Sequence, residues 1–282
     1  MSKYIVITGA STGIGYYSAE KFIKEGYHVF GSVRSREDAD RLSTTLGDGF
    51  SPLIFDVTDH KAIKEAAECV EGAVGDEGIA CLINNAGIAV TGPNTIIGVE
   101  EYRKQFEVNF FGVVDVTKAF LSLLGAKKDC PHPPGKILNI SSVSGQLSFP
   151  FMGPYSASKH ALEGYSHALR RELMLYGVDV VIVAPGSVKT PIWGKAEKID
   201  ERILNSDYGH IVRRFIKSFS RQDLEGLEAT TLANSIYNIF KSKKPKTRYA
   251  LVKKKFIKWT MPRYVLSDRM LDAFIKKALK IE

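Results

Sequence analysis

Six short apolar runs alternate with longer segments of helical period over the first 185 residues, and each run is hydrophobic at nearly every position. The runs are Tyr4–Thr8, His28–Val33, Ser51–Phe55, Ala80–Asn84, Lys136–Ile140 and Val178–Ala184, rich in Val and Ile. A strand that meets solvent on one face alternates apolar with polar residues. A strand apolar throughout is covered on both faces, as in a parallel sheet. The helical segments between them are Ile14–Glu25, Asp59–Val74, Val99–Leu124 and Pro154–Tyr176. Strand-helix-strand repetition closes through right-handed crossovers, so the expected fold is α/β, a doubly wound parallel sheet of about seven strands. Tyr249–Val252 is the expected last strand, at the sheet edge.

Composition narrows the class further. Hydrophobic residues at 44% and charged residues at 25% are globular values and argue against disorder. No stretch approaches the roughly 20 apolar residues that span a bilayer. The chain opens on a strand without a charged and then apolar leader, so no signal peptide is expected. Cys69, Cys81 and Cys130 are far apart and lack metal-ligand spacing, so no metal site is expected. They read as reduced thiols of a cytoplasmic protein.

The net charge of +8 is unevenly placed: residues 241–282 carry fourteen Lys/Arg and three Asp/Glu, a local +11 that leaves −3 elsewhere. A nucleic-acid binder wants its basic face on the folded domain, so no nucleic-acid partner is expected. Cys130–Gly135 holds three prolines and reads as a loop. Thr190–Gly226 shows no strand pattern and scatters large apolar residues among charges. No internal repeat or low-complexity segment is visible.

The first strand runs into Thr8-Gly9-Ala10-Ser11-Thr12-Gly13-Ile14-Gly15, and a helix begins at once. Gly9 allows a tight turn, Gly13 allows backbone to approach a pyrophosphate, and Gly15 lets helix and strand pack closely. The helix N-terminus presents free N–H groups and a positive dipole end to phosphates. A glycine trio alone can be an ordinary turn; its strand-loop-helix setting makes a dinucleotide site the expectation.

The spacing TGxxxGIG resembles that of the short-chain dehydrogenase/reductase family. The resemblance implies a Rossmann-like sheet and cofactor contacts from Gly9, Ser11, Thr12, Gly13, Ile14 and Gly15. It continues at Asp56-Val57 after the third strand, the family's adenine-binding position, where a simple helix-cap region is the bland alternative. It continues again at Asn84-Asn85-Ala86-Gly87, the NNAG tetrad that supports cofactor and sheet, with Asn85, Ala86 and Gly87 on the cofactor side. An enzyme preferring NAD carries an acid at the end of the second strand for the ribose 2′-hydroxyl. Val33 stands there, followed by Arg34, whose guanidinium suits a 2′-phosphate. The expectation is NADP(H) over NAD(H), although Arg36 is equally near and Thr12 replaces the family's basic residue before the second glycine.

Tyr155-Ser156-Ala157-Ser158-Lys159 opens a long helix, which puts Tyr155 and Lys159 on one face. An ammonium beside a phenol favours the phenolate and lowers its pKa from about 10, so such a tyrosine exchanges protons with an alcohol or ketone near neutral pH. A Tyr/Lys pair on a helix is common by itself. Ser142, thirteen residues earlier, offers a hydroxyl where charge develops on a carbonyl, with Ser141 and Ser144 as chemical alternatives. The family spacing selects Ser142. Asn109 sits mid-helix, a poor place for asparagine without a task. The resemblance gives it a proton-relaying water and adds a PGxxxT segment at Pro185-Gly186-Ser187-Val188-Lys189-Thr190, with Pro185, Gly186, Val188 and Thr190 at the nicotinamide. Tyr155 and Lys159 also touch the cofactor. Together these motifs, from about residue 3 to 190, imply an oxidoreductase moving hydride between nicotinamide and a carbonyl or secondary alcohol. A dinucleotide-binding sensor or scaffold without turnover is the alternative.

Residues 1–252 are therefore expected to form the catalytic domain, with a substrate lid at about 191–226. Pro191-Ile192-Trp193, Ile203-Leu204, Tyr208, Ile211-Val212, Phe215-Ile216 and Phe219 make that lid apolar. With Pro245–Val252 and Pro262-Arg263-Tyr264, it is similar to the steroid- and retinol-active branch and implies a hydrophobic substrate. The same residues equally suit simple packing of added helices. Residues 253–282 are expected to form a basic helical extension of the domain, with Met270, Leu271, Phe274, Ile275, Ala278 and Leu279 as an apolar stripe over Ser267–Lys280. The stripe is expected to pack beside the lid; weak peripheral membrane contact is the alternative. The apolar helices Val99–Leu124 and Pro154–Tyr176 suit a homodimer or homotetramer.

Overall fold

The computed structural model describes residues 2–189, 200–224 and 226–281. Its core is one seven-stranded sheet in the order β3-β2-β1-β4-β5-β6-β7. The strands are β1 (Tyr4–Ile7), β2 (His28–Val33), β3 (Phe50–Ile54), β4 (Cys81–Asn84), β5 (Lys136–Ile140), β6 (Asp179–Pro185) and β7 (Arg248–Leu251). Every neighbouring pair is parallel. The chain works outward from β1 in one direction and then returns to build β4 to β7 in the other. This reversal opens a crevice at the carboxyl ends of β1 and β4, where open α/β sheets hold ligands.

Helices cover both faces, as the apolar strands require. One layer of the core joins Ile5, Ile7, Phe22, Ile83, Leu138 and Phe240. The other joins Val6, Val70, Leu82, Phe120, Ile137 and Val180. The alternation within each strand, Ile5 one way and Val6 the other, is the period-2 rule acting on a sheet buried twice.

Helices α1 (Gly13–Lys24), α3 (His60–Val74) and α6 (Gly153–Glu172) match their expected segments to within a few residues at each end. Ser267 caps α11 (Asp268–Leu279) by accepting from the Met270 N–H at 3.3 Å. The segment Val99–Leu124 differs from the uninterrupted helix expected. It is α4 (Val99–Phe106), a π-helical turn over Glu107–Phe111, then α5 (Gly112–Phe120). Such turns insert one residue into the ladder, commonly at functional sites. Here the turn contains Asn109.

Helices α2 (Arg36–Leu46) and α9 (Ala229–Lys241) are among those outside the expected set. Helix α2 buries only Ala39 and Leu42 and has almost no apolar signal, but Ser35 caps it and Glu37 and Asp38 occupy its first turn. Helix α9 buries Leu232, Ile236, Ile239 and Phe240 against α1. Its three- and four-residue spacing is a legible signal. The strandless stretch after β6 contains α7 (Glu201–Leu204) and α8 (Gly209–Leu224). Thr190 and residues 191–199, including Pro191, Ile192 and Trp193, lie outside the described residues.

After β7 come a π-helical turn (Phe256–Thr260), the short α10 (Met261–Tyr264) and α11. Leu271 packs toward Trp259 and Leu147. Ile275 and Leu279 join Ile203, Val212, Phe215 and Tyr155. Half of the expected stripe, Leu271, Ile275 and Leu279, thus packs on the main body, whereas its other members, Met270, Phe274 and Ala278, stay exposed. Among the described residues, no helix is long and apolar enough to cross a membrane.

Candidate active site

The first wall of the crevice is backbone. Gly9 turns with φ +66°, and a Cβ there would stand 2.9 Å from Ala86 Cα. A Cβ on Gly15 would stand 2.2 Å from the Gly9 carbonyl oxygen and 2.6 Å from Asn85 Nδ2, so only glycine lets α1 start this close to β1. Asn85 locks the approach: its Nδ2 donates to the Thr8 and Gly9 carbonyls at 2.9 and 3.0 Å. The Thr8 hydroxyl accepts from the N–H groups of Asn85 and Ala86. Helix α1 has no side-chain cap from Thr12 and no acid in its first turn. A helix start stripped of internal anions and approached by glycine fits a diphosphate. Ser11, Thr12, Gly13 and Ile14 line this loop.

Three arginines stand near the end of β2, and the structure separates them. Arg36 Nε pairs with Asp40 at 3.1 Å. Arg41 binds Asp38 at 2.6 Å and the Ser11 carbonyl at 2.9 Å, tying α2 to the glycine loop. Sequence reading missed Arg41, because it lies on the helix that lacked an apolar pattern. Arg34 is exposed and makes no hydrogen bond or ion pair among the described residues. Val33 beside it is buried and carries no charge. The place can hold a dianionic group, with Arg34 as its free cation. Asp56 folds back on its own loop, accepting from the N–H and hydroxyl of Thr58 at 3.0 and 2.8 Å, while Val57 is buried.

The second wall holds the titratable groups. Ser142 follows β5, and its hydroxyl accepts from the Ser144 N–H at 3.1 Å and bonds the Tyr155 phenol. The Ser141 hydroxyl turns the other way and donates to Glu163 at 3.0 Å. Geometry therefore sets Ser141 aside from the serines that chemistry alone left open. Lys159 is buried one turn beyond Tyr155, and its Nζ donates to the Ile140 carbonyl at 2.8 Å. Burial pushes the Lys159 ammonium down to about 8, against an opposing pull from Glu163.

One expectation is corrected here. Burial raises the Tyr155 phenol above its usual range, and the Ser142 hydrogen bond offsets only part of this. The lowering expected from a neighbouring ammonium does not prevail, because Lys159 Nζ stands 5.8 Å from the ring centroid and bonds a carbonyl instead.

Asn109 is fully buried. Its Oδ1 accepts from the Ile88 N–H at 2.9 Å, and its Nδ2 donates to the Ile88 carbonyl at 3.0 Å. The side chain is thus a clamp on the segment after Gly87, with a longer contact of 3.3 Å to Ser158 Oγ on α6. Beneath it runs a buried network that sequence reading missed. Asn84 Nδ2 donates to Thr117 and Asn139 at 3.0 and 2.8 Å, and Asn139 donates to Ser166 at 2.8 Å. These single polar residues inside apolar elements are the only trace of it in the sequence.

Pro185 ends β6, the Gly186 N–H donates to the Leu251 carbonyl at 3.0 Å, and Val188 is buried against Leu227. A cleft of about 200 Å³ opens beside the cluster that holds Tyr155, lined by apolar Val90, Ile97, Phe151, Ile203 and Phe215 and, on one side, by charged Glu101, Asp200 and Arg202. Phe151 and Phe215 meet edge to face at 5.3 Å, in the cluster that contains Tyr155.

A crevice with a glycine-lined helix start on one side and a Ser-Tyr-Lys set on the other defines a nucleotide-dependent oxidoreductase. Comparison with known proteins agrees. The sequence profile of the short chain dehydrogenases matches residues 3–201. The chain is 43% identical to an NADPH-dependent 3-dehydrocapnine reductase of Ornithobacterium rhinotracheale, over 99% of this chain and 98% of the relative. It is 35% identical to dehydrogenase/reductase SDR family member 9 of Bos taurus, over 88% of this chain and 79% of the relative. A short-chain dehydrogenase from Streptomyces avermitilis superposes with a TM-score of 0.76 at 28% identity, covering 99% of this chain and 96% of that one. The protein belongs to the short-chain dehydrogenase/reductase family, an oxidoreductase acting on the CH–OH/C=O pair.

Proposed function

We propose that this enzyme is an NADPH-dependent reductase of a ketone on a hydrophobic, long-chain or polycyclic molecule. The observation that carries the reading is the place of Tyr155, beside the Ser142 hydroxyl and in one buried apolar cluster with Phe151, Ile203 and Phe215. The glycine loop, Asn85 and Ala86 would hold the dinucleotide diphosphate, Asp56 and Val57 the adenine side, and Arg34 the 2′-phosphate. Pro185, Gly186, Val188 and Thr190 would flank the nicotinamide, which supplies hydride when bound. Ser142 orients the substrate carbonyl, and Tyr155 gives its proton to the carbonyl oxygen. A phenol kept protonated by burial is in the right state to act as an acid. Lys159 supplies a buried positive charge beside it, and Asn109 fixes the backbone on which any proton relay to Lys159 depends. The apolar cluster around Tyr155 favours substrates with extended hydrocarbon, such as a steroid or retinoid ketone, and a ketone of the 3-dehydrocapnine kind named for one relative is a further candidate.

The test is loss of reduced-nicotinamide absorbance with a panel of long-chain, steroid and retinoid ketones. Turnover with apolar ketones and NADPH is expected. Turnover confined to small polar carbonyls, or to NADH, overturns the reading.

The same proposal places residues 1–252 and the extension 253–282 in one cytoplasmic catalytic unit, paired into a homodimer or homotetramer through α4–α5 and α6. Exposed Val99 and Phe111 suit such pairing, and a monomeric mass by light scattering at micromolar concentration excludes it. In the extension, exposed Phe256, Tyr264, Met270 and Phe274 lie among Lys253, Lys254, Lys255, Lys276 and Lys277. This composition suits weak, salt-sensitive contact with an anionic membrane. Binding to neutral vesicles as strong as to anionic ones contradicts that contact.

A further inference from the structure

Arg248 opens β7 within the run Pro245–Val252, and its guanidinium is nearly buried between three parts of the chain. Its Nε and one terminal nitrogen donate to the two carboxylate oxygens of Glu163 on α6, at 2.9 and 3.0 Å. That terminal nitrogen also reaches the Ser142 carbonyl at 3.4 Å. The carboxylate in turn accepts from the Ser141 hydroxyl at 3.0 Å. Trp259, fully enclosed, closes the remaining side with its ring 4.7 Å from the guanidinium carbon. The fit leaves no room at the turn, where a Cβ on Gly145 would stand 2.5 Å from the Glu163 carboxylate.

A buried ion pair is poor evidence for a stabilising role, because an apolar pair of similar volume commonly does as well. What needs explaining is where the remaining bonds go. They leave the pair and end on Ser141 and Ser142, the two residues that decide which hydroxyl faces Tyr155. Glu163 also lies one turn beyond Lys159, on the same face of α6. A bidentate fork fixes direction as well as distance, which a lysine at position 248 could not do.

We propose that the Arg248–Glu163 pair, backed by Trp259, is a positioning device: it locks the 141–145 turn so that the Ser142 hydroxyl stays on Tyr155. Through Trp259 it makes the C-terminal extension part of the geometry of the reaction. The kinetic half of this inference rests on the reductase reading above; the structural half does not.

Two readouts on the full chain test it: amide hydrogen exchange across residues 141–147, and kcat for NADPH with the best ketone found. Arg248→Met removes charge-assisted bonds, so exchange across 141–147 should quicken and kcat should fall, each by about tenfold or more. NADPH affinity should stay near wild type. The double variant Glu163→Leu/Arg248→Met should regain the thermal midpoint while kcat stays low and exchange fast. If the double variant regains kcat with its stability, the pair is structural only and the proposal fails. Should Arg248→Met not fold, Arg248→Lys keeps the charge without the fork and should still lose protection across 141–147. Wild-type exchange in whichever single variant folds overturns the proposal. A wild-type enzyme that reduces no ketone refutes the reductase reading alone, and the exchange arm still decides this one.

Discussion

Around Gly9–Gly15 the site is made of backbone, and around Phe151 and Ile203 it is made of side chains. On the first side, N–H groups and carbonyls are set by Thr8, Asn85 and glycines that tolerate no Cβ. On the second, Phe151, Ile203 and Phe215 come from three separate segments and are supported from outside by Ile275 and Leu279 of α11. Backbone cannot be altered by exchanging a side chain, so the first wall suits a ligand that stays the same. Apolar side chains can be exchanged with graded effect, so the second suits a ligand that varies among relatives. Tyr155 belongs to both, since it sits in the apolar cluster and bonds Ser142.

The difference can be broken or sharpened by substitution. The largest effect is expected where the walls meet. Tyr155→Phe keeps the ring and loses the acid, and turnover should fall by roughly 10²–10⁴-fold with NADPH binding preserved, as read by fluorescence titration. Wild-type turnover would remove Tyr155 from the chemistry. Next is the free cation of the cofactor wall. Arg34→Ala should weaken NADPH by about 10- to 100-fold and NADH hardly at all, by the worth of one charge-assisted contact. Equal losses would mean that Arg34 does not meet the phosphate.

On the other wall, Ile203→Ala should lower kcat/KM for a bulky apolar ketone by about tenfold, the cost of a few methylenes in a pocket, and leave NADPH affinity alone. A matching loss of NADPH affinity would show that the two walls are not separate. The smallest effect is in pH. Lys159 is held down to about 8 by burial, so its positive charge is present below that value and lost above it. Turnover should decline as pH rises through about 8, and a flat profile to pH 10 would contradict a role for the charged form.

The contrast also explains what the sequence made legible. The backbone wall needs glycine and asparagine at fixed spacing, and Gly9, Gly13, Gly15 and Asn85 are visible as letters. The strands were visible because burial on both faces forces apolar runs. The pairing of Ser142 with Tyr155 came from family spacing, and the structure supplied the reason: Ser141 is occupied by Glu163. Arg41, Thr117, Asn139, Ser166 and Arg248 were not legible as a network. Each is one polar residue whose partner lies on another element, and no local pattern marks such a pair. Helix α2 escaped because it buries only Ala39 and Leu42 in the apolar core, which leaves little apolar pattern in its sequence. The direction of the Tyr155 shift escaped because helix spacing places Lys159 on the right face but does not say which carbonyl its ammonium will bind.

The central claim is hydride transfer from a reduced nicotinamide to a carbonyl carbon, with Tyr155 supplying the proton. The most direct measurement uses NADPH deuterated at the transferring position of nicotinamide C4, an apolar ketone, and mass spectrometry of the alcohol formed. The account predicts one deuterium, on the carbinol carbon, in the wild-type product, and almost no labelled alcohol with Tyr155→Phe. Alcohol formed without the label, or label transferred at the wild-type rate by Tyr155→Phe, would contradict it.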